Sequence, residues 1–194
     1  MKQLILTLIF LISVSVIAQN NNAALWLKSN KYETELIPWY LYHGDDYILD
    51  LRYNFDVHAH GTVFAGKMFA NADSSIMFYP GAGCILGTEY LGIMPGFWLE
   101  TEGSWYKWNT MTEYSIGKQY DFSYAWTEFR WKMHMAIEIG AGIQSYYEPR
   151  NGFHKTDIGP VVKVAFDNMY TKFWFTGTPE DGRKTLFIGL GMLF

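Results

Sequence analysis

The sequence predicts an all-β fold: a transmembrane, antiparallel, up-and-down β-barrel of ten to twelve strands, with twelve preferred. Three observations support this prediction: side chains that alternate in character along most of the chain, regularly spaced turn signals, and an aromatic content of 19%. Beyond residue 18 no apolar run is long enough for a membrane-spanning helix. A structure that spans a membrane would therefore have to be a closed barrel.

Residues 1–18 have the pattern of a secretory signal peptide. Lys2 supplies a positive charge, Leu4–Ile17 is a mainly apolar run, and Ala18 offers a small residue for cleavage. A membrane anchor helix is the alternative, but a run of about 14 residues is short of the roughly 20 that a spanning helix needs. We therefore expect cleavage after Ala18 and a single barrel domain over residues 19–194.

The composition excludes several classes of function. A formal net charge of −4 argues against a nucleic-acid partner, because proteins that bind nucleic acids carry a basic surface. Cys84 is the only cysteine, so the chain has neither an internal disulfide nor a multi-cysteine metal site. The sequence predicts no cofactor, and it does not identify a soluble partner.

The segment Lys184–Phe194 alternates with a period of two. One face is large and apolar and the other is smaller: Leu186, Ile188, Leu190, Met192 and Phe194 oppose Thr185, Phe187, Gly189, Gly191 and Leu193. This pattern suits large side chains against lipid and small ones in a barrel interior. The segment resembles the C-terminal strand of Gram-negative outer-membrane β-barrels. The resemblance implies that Phe194 is an assembly signal read by the barrel-assembly machinery.

The other strands are predicted from the same alternation between turn signals. Tight connections are expected at residues 43–46, 71–74, 103, 132 and 167–168, with mostly longer ones at 56–61, 87–90, 117–120, 147–155 and 178–183. Short turns at one end and longer loops at the other are typical of outer-membrane barrels. The expected strands cover residues 23–29, 32–42, 47–56, 61–70, 75–86, 91–102, 104–116, 120–131, 133–146, 156–166, 169–177 and 184–194.

Three parts of the chain resemble an uncharacterised family of small bacterial outer-membrane barrels. They are Asp50–Phe55, the stretch Pro80–Gly87 followed by Pro95-Gly96, and Phe122–Glu128. The resemblance implies a barrel that lies in outer-membrane lipid after secretion across the inner membrane, and it implies no particular activity.

Strand parity predicts which charged and polar side chains line the lumen. Acids and bases are nearly balanced among them: Glu35, Asp50, Arg52, Lys67, Glu100, Glu102, Lys107, Glu113, Glu128, Arg130, Glu138, Gln144, Lys163 and Lys172. Charges in a confined lumen are costly unless they are paired. We therefore expect a charged, partly plugged lumen in a structural or transport-related barrel without catalysis. A narrow channel for small polar solutes is the alternative.

Two further classes remain open at this stage. An outer-membrane lipid-modifying enzyme would need a nucleophile and base near the lipid boundary, but parity directs Ser123 and Ser145 away from His134. A soluble periplasmic lipid-binding barrel could produce a similar alternation. A soluble barrel would refold without detergent, whereas an enzyme would alter lipid profiles.

Two side-chain groups have competing interpretations. Asp56, His58 and His60 alternate and could bind a divalent metal, although an exposed polar loop is the expected interpretation. The aromatic group Trp98, Trp105, Tyr106 and Trp108 lies beside the turn at Gly103. Its position favours a girdle at the membrane interface over a carbohydrate-binding platform.

Overall fold

The computed structural model describes residues 21–31, 34–54, 60–87, 91–117, 121–150 and 152–193. In these ranges no helix is long and apolar enough to span a membrane. The predicted signal peptide (1–18), Phe194, Asp56 and His58 lie outside the described residues. The described strands are β1 (Asn21–Asn30), β2 (Thr34–His43), β3 (Tyr47–Asn54), β4 (His60–Lys67), β5 (Phe69–Ala70), β6 (Ile76–Gly87), β7 (Leu91–Glu102), β8 (Tyr106–Gly117), β9 (Asp121–His134), β10 (Ile137–Glu148), β11 (Phe153–Phe166), β12 (Met169–Thr178) and β13 (Arg183–Leu193).

The strands close into a single antiparallel barrel. Apart from β4 and β5, each strand pairs with its neighbours in sequence; β1 pairs with β13, and both β4 and β5 pair with β6. The short β5 continues β4 after an interruption at Met68, whose backbone N–H donates to the Asp46 carbonyl at 2.7 Å. Counted this way, the described residues form a closed barrel of twelve strands. The predicted fold class and the preferred strand number are confirmed.

The connections differ from the predicted ones at two places. Lys132 lies inside β9 rather than in a turn, because its backbone pairs with Glu138 of β10 and its N–H donates to the Trp105 carbonyl at 2.9 Å. Its Nζ donates to Glu102 Oε1 at 2.6 Å and to the Gly103 carbonyl at 2.9 Å. The turn falls instead between His134 and Ile137. The loop predicted at residues 147–155 is shorter in the structure, because β10 and β11 pair as far as Glu148 and Phe153.

The turn at residues 71–75 is held by its own polar side chains. The backbone N–H of Ile76 donates to Asn71 Oδ1 at 2.9 Å, and that of Ser75 donates to Asp73 Oδ1 at 3.1 Å. Hydrogen bonds from Ser75 lower the pKa of the exposed Asp73 carboxyl. Ser74 has a φ of 54°, which closes the turn. This end of the barrel, which also holds Asn21 and Leu193, is called the termini end below.

Contacts between strands that are not neighbours identify the inward and outward faces of the wall. Trp39 of β2 stacks with Trp98 of β7 at a ring-centroid distance of 6.1 Å, which is possible only through the lumen. Alternate residues face outward, where large apolar side chains are exposed. Examples are Leu91 (70%), Ile93 (63%), Phe166 (65%), Phe175 (52%) and Leu190 (55%). Polar and aromatic side chains therefore fill the inside, and apolar ones cover the outside.

Candidate functional site

The candidate site is the lumen, and strand register places nearly all the predicted lining residues there. Arg52 stands opposite Trp39 on β2 and Thr62 on β4, and Glu128 stands opposite Asn109 on β8 and Gly142 on β10. The same parity directs inward the remaining members of the set: Glu35, Asp50, Glu100, Glu102, Lys107, Glu113, Arg130, Glu138, Gln144, Lys163 and Lys172.

Lys67 is the exception, and its predicted position in the lumen is wrong. It lies on the outward face at the last position of β4, opposite Tyr47. Its side chain is 68% exposed, with Nζ 4.0 Å from Asp46 Oδ2. At a strand end beside a turn, an outward charge reaches water and does not need the lumen.

One ion-pair cluster, the crossing cluster, spans the lumen between β3 and β8 at mid-height. Arg52 of β3 pairs with Glu113 of β8 through a hydrogen bond from its guanidinium. Its Nε lies 3.2 Å from Oδ1 of Asp50, which is fully buried. Trp39 Nε1 donates to the same oxygen at 2.9 Å. The buried carboxylates are thus compensated by one guanidinium and one indole N–H.

A second cluster, the basic cluster, lies between β9, β10, β11 and β12. Glu128 forms ion pairs with two cations, its Oε2 lying 2.5 Å from Lys172 Nζ and its Oε1 2.9 Å from Arg130 Nε. Glu138 lies 2.9 Å from Arg130 Nη1 and 3.5 Å from Lys163 Nζ. Closer to the termini end, Glu102 holds Lys107 (3.2 Å) and Lys132 (2.6 Å), and Glu100 lies 3.5 Å from His43. These pairs neutralise most of the charge inside the wall.

A layer of indole rings, the tryptophan layer, fills the middle of the lumen. Trp98 is 3% exposed, and its ring centroid lies 6.2 Å from that of Trp126. The Lys172 ammonium lies over the faces of two rings, 4.9 Å from the centroid of Trp26 and 5.2 Å from that of Trp126. Within the described ranges the layer consists of Trp26, Trp39, Trp98, Trp126 and Trp174.

The tryptophan layer was missed by the sequence analysis. Trp98 was expected in an interface girdle with its neighbours in sequence, and this expectation is wrong because Trp98 shares the inward parity of Glu100. Trp105 (57% exposed) and Trp108 (40%) do lie outside the wall. The sequence does contain a pattern that could have indicated this layer: inward-facing glycines on other strands leave room for the indole rings. A Cβ at Gly189 would meet Trp26, and one at Gly142 would meet Trp174.

Two cavities adjoin the tryptophan layer. The smaller, the mid-lumen cavity, has a volume of about 150 Å³ and a mostly aromatic lining that includes Trp174, Phe187, Asp50 and Arg52. The larger, the basic cavity, has a volume of about 340 Å³ and lies toward the termini end. Its charged lining is Lys107, Arg130, Lys163 and Lys172 with Glu100. Four residues of the tryptophan layer and Lys172 line both cavities: Trp26, Trp39, Trp98 and Trp126.

A smaller polar group lies in the far half of the lumen. Asp157 accepts hydrogen bonds from the Thr178 hydroxyl and, at 2.9 Å, from Gln144 Nε2. Lys155 Nζ lies 3.2 Å from the Asp157 carboxylate.

Of the predicted metal-binding group, only His60 lies within the described residues, and it begins β4 on the inward face. Across the described part of the chain, no group of three or more His, Cys, Asp or Glu side chains could hold a metal ion.

Comparison with solved structures identifies the fold. No family model matches the chain, and no curated protein sequence matches it. The NanC porin matches with a TM-score of 0.70 at 8% identity, over 89% of this chain and 98% of that chain. The fold is that of a small outer-membrane porin. The KdgM porin (TM-score 0.69, 9% identity, 89% and 99%) and an outer membrane channel from Pseudomonas putida F1 (0.64, 7%, 90% and 95%) agree.

The porin fold confirms the resemblance that the alternation in Lys184–Phe194 suggested. In the structure β13 pairs with both β12 and β1, so Arg183–Leu193 closes the barrel. Its large even-numbered side chains, such as Leu190, lie on the outside.

Proposed function

We propose that this chain is an integral outer-membrane porin whose lumen is a narrow, restricted passage for small polar solutes. One observation carries the proposal: the basic cavity and the mid-lumen cavity share Trp26, Trp39, Trp98, Trp126 and Lys172 as lining. The two cavities therefore lie in sequence along the lumen, with the tryptophan layer as the restriction between them. Charged walls of both signs suit polar solutes.

The orientation in the membrane and the cleavage of the signal peptide are inferred from the general architecture of outer-membrane barrels. We place the termini end in the periplasm, the outward apolar side chains against outer-membrane lipid, and cleavage of the signal peptide after Ala18. Assembly through Phe194 by the barrel-assembly machinery belongs to the same proposal.

The proposal assigns no catalysis to the chain. The contacts of three histidines support this part: His43 lies 3.5 Å from Glu100, His134 Nδ1 accepts from the Ala136 N–H at 3.4 Å, and His154 lies 3.4 Å from Glu180. Ser145 Oγ lies on the outward face and shares a hydrogen bond with Thr156, whose hydroxyl shares another with His154 Nε2 at 3.1 Å. No serine hydroxyl in this group bonds a histidine directly.

A structural plug is the second candidate, and the crossing cluster favours it. Arg52, Glu113 and Trp39 occupy the middle of the lumen and tie three strands together. In that case the ion pairs would maintain the shape of the wall and no solute would pass.

Osmotic swelling of liposomes separates the two candidates. We expect refolded wild-type protein to admit arabinose slowly and to exclude the trisaccharide raffinose. A Trp98→Ala variant should admit arabinose faster, because it removes a ring from the restriction. Swelling no faster than that of protein-free liposomes, for both wild type and variant, would overturn the channel and support the plug.

A further inference from the structure

The two adjoining cavities differ in chemical character, and this difference suggests what kind of solute they hold. The mid-lumen cavity, at about 150 Å³, is lined mainly by indole and phenyl rings. A cavity of roughly that volume holds one benzene-sized ring in other proteins. Its charged groups are already paired: Asp50 binds Arg52 and Trp39, and Lys172 lies 2.5 Å from Glu128. They offer little to the hydroxyl groups of a sugar, so the cavity suits a flat apolar ring.

The basic cavity carries an excess of positive charge. Its lining contains four cationic side chains and one carboxylate, Glu100. The carboxylates that pair with those cations are Glu102, Glu128 and Glu138, which do not line the cavity. Counting Lys132, which also binds Glu102, the described part of this region holds five cations against four carboxylates. An anionic group would therefore be stabilised here.

Trp98 marks the junction of the two cavities, because it lines both of them and is 3% exposed. Its indole Nε1 makes no hydrogen bond of normal geometry among the described residues, although the Glu100 carboxylate interacts with it. An acceptor on a ligand would give this buried N–H a well-aligned hydrogen bond. Lys172 adds a cation at the same height, over the rings of Trp26 and Trp126.

We propose that the lumen binds a small aromatic carboxylate. Its ring packs against the tryptophan layer in the mid-lumen cavity, and its carboxylate points into the basic cavity toward Lys163 and Lys172. The chemistry combines aromatic contact with charge-assisted hydrogen bonding. Uptake of the aromatic carboxylate through the lumen rests on the proposed channel function. Its binding can be measured whether or not the lumen conducts.

Isothermal titration of the detergent-refolded chain tests the proposal with four probes. Benzoate carries both features, cyclohexanecarboxylate lacks the aromatic ring, glucuronate is a sugar acid, and benzyl alcohol lacks the charge. We expect benzoate to bind about tenfold more tightly than each of the other three. Equal affinity for benzoate and glucuronate, or no heat of binding for benzoate, would overturn the proposal.

Variants assign the binding to this site. Lys163→Met should weaken benzoate about tenfold and leave benzyl alcohol unchanged, since only the cation is lost. Trp98→Ala should weaken both benzoate and benzyl alcohol. Trp108→Ala is the matched control, because Trp108 lies outside the wall, where it donates to Thr127 at 2.8 Å. Benzoate binding that survives Lys163→Met unchanged would contradict the site.

The two proposals fail in distinguishable ways. Benzoate binding without any liposome swelling would overturn the channel and leave the binding site standing. Arabinose swelling without benzoate binding would leave the channel standing and overturn the aromatic carboxylate. Heat-modified migration in gel electrophoresis shows that each variant has folded before it is titrated.

Discussion

Arg52 of β3 and Glu113 of β8 form an ion pair across the lumen, from strands separated along the wall by β4, β6 and β7. Both side chains are largely buried, at 17% and 3% exposure. Arg52 also compensates Asp50, which has no exposed surface. One guanidinium therefore pairs with two buried carboxylates, one on its own strand and one across the lumen.

Removing this guanidinium should destabilise the barrel strongly. Arg52→Met leaves the carboxylates of Asp50 and Glu113 buried without their cation, which costs about 3–5 kcal/mol in comparable buried pairs. Urea unfolding of the protein in lipid vesicles would measure the loss. Neutralising all three positions, as Asp50→Asn, Arg52→Met and Glu113→Gln together, should recover most of it, because no buried charge then remains unpaired. A triple variant as unstable as Arg52→Met would contradict this explanation.

The crossing cluster shows what the alternation of side chains in the sequence can predict and what it cannot. Parity placed Asp50, Arg52 and Glu113 inside because period-two alternation is a local property of each strand. It could not predict that Arg52 meets Glu113, since contacts across a barrel depend on strand number, tilt and stagger together. The partners of inward charges are therefore a property of the closed barrel.

Lys67 and Trp98 show the two ways in which sequence interpretation failed. Lys67 was placed inward by strand parity, yet the register of β4 puts it on the outward face at a strand end that lies close to water. Trp98 was grouped with Trp105 because both are aromatic, yet residue type does not determine the face of a strand. For Trp98 the parity of its neighbour Glu100 was the better guide.

The Glu128–Arg130 pair should help to close the passage. Replacing both with Ala removes two side chains that lie beside the tryptophan layer and frees Lys172 from its 2.5 Å contact. We expect arabinose to enter liposomes faster through this double variant than through wild type. The double variant Asp46→Ala and Lys67→Ala removes one acid and one base from outside the lumen, and it should leave the rate unchanged. An equal rate for all three proteins would count against a closing role.

Glycines at close strand contacts should resist substitution. A Cβ at Gly140 would collide with the backbone carbonyl of Phe129 on the neighbouring strand, whereas a Cβ at Gly177 would meet nothing within 4 Å. Gly140→Ala should therefore cost about 1–3 kcal/mol of unfolding free energy, as overpacked sites do. Gly177→Ala should stay within about 0.5 kcal/mol of wild type. Similar losses for both variants in urea unfolding would show that the loss of glycine, rather than the contact, is what matters.

A charge on the outward face should be tolerated only near the ends of the strands. Phe173 lies near the middle of β12 on the outward face, between Val162 and Ile188 of the adjacent strands. If this face contacts lipid, Phe173→Arg should cost about 2–4 kcal/mol, because an arginine near the bilayer midplane is poorly solvated. Met135, which is 96% exposed in the turn before β10, provides the matched position, and Met135→Arg should cost at most about 1 kcal/mol. Unfolding in vesicles would compare the two directly, and equal, small effects would mean that hydrocarbon does not surround the wall.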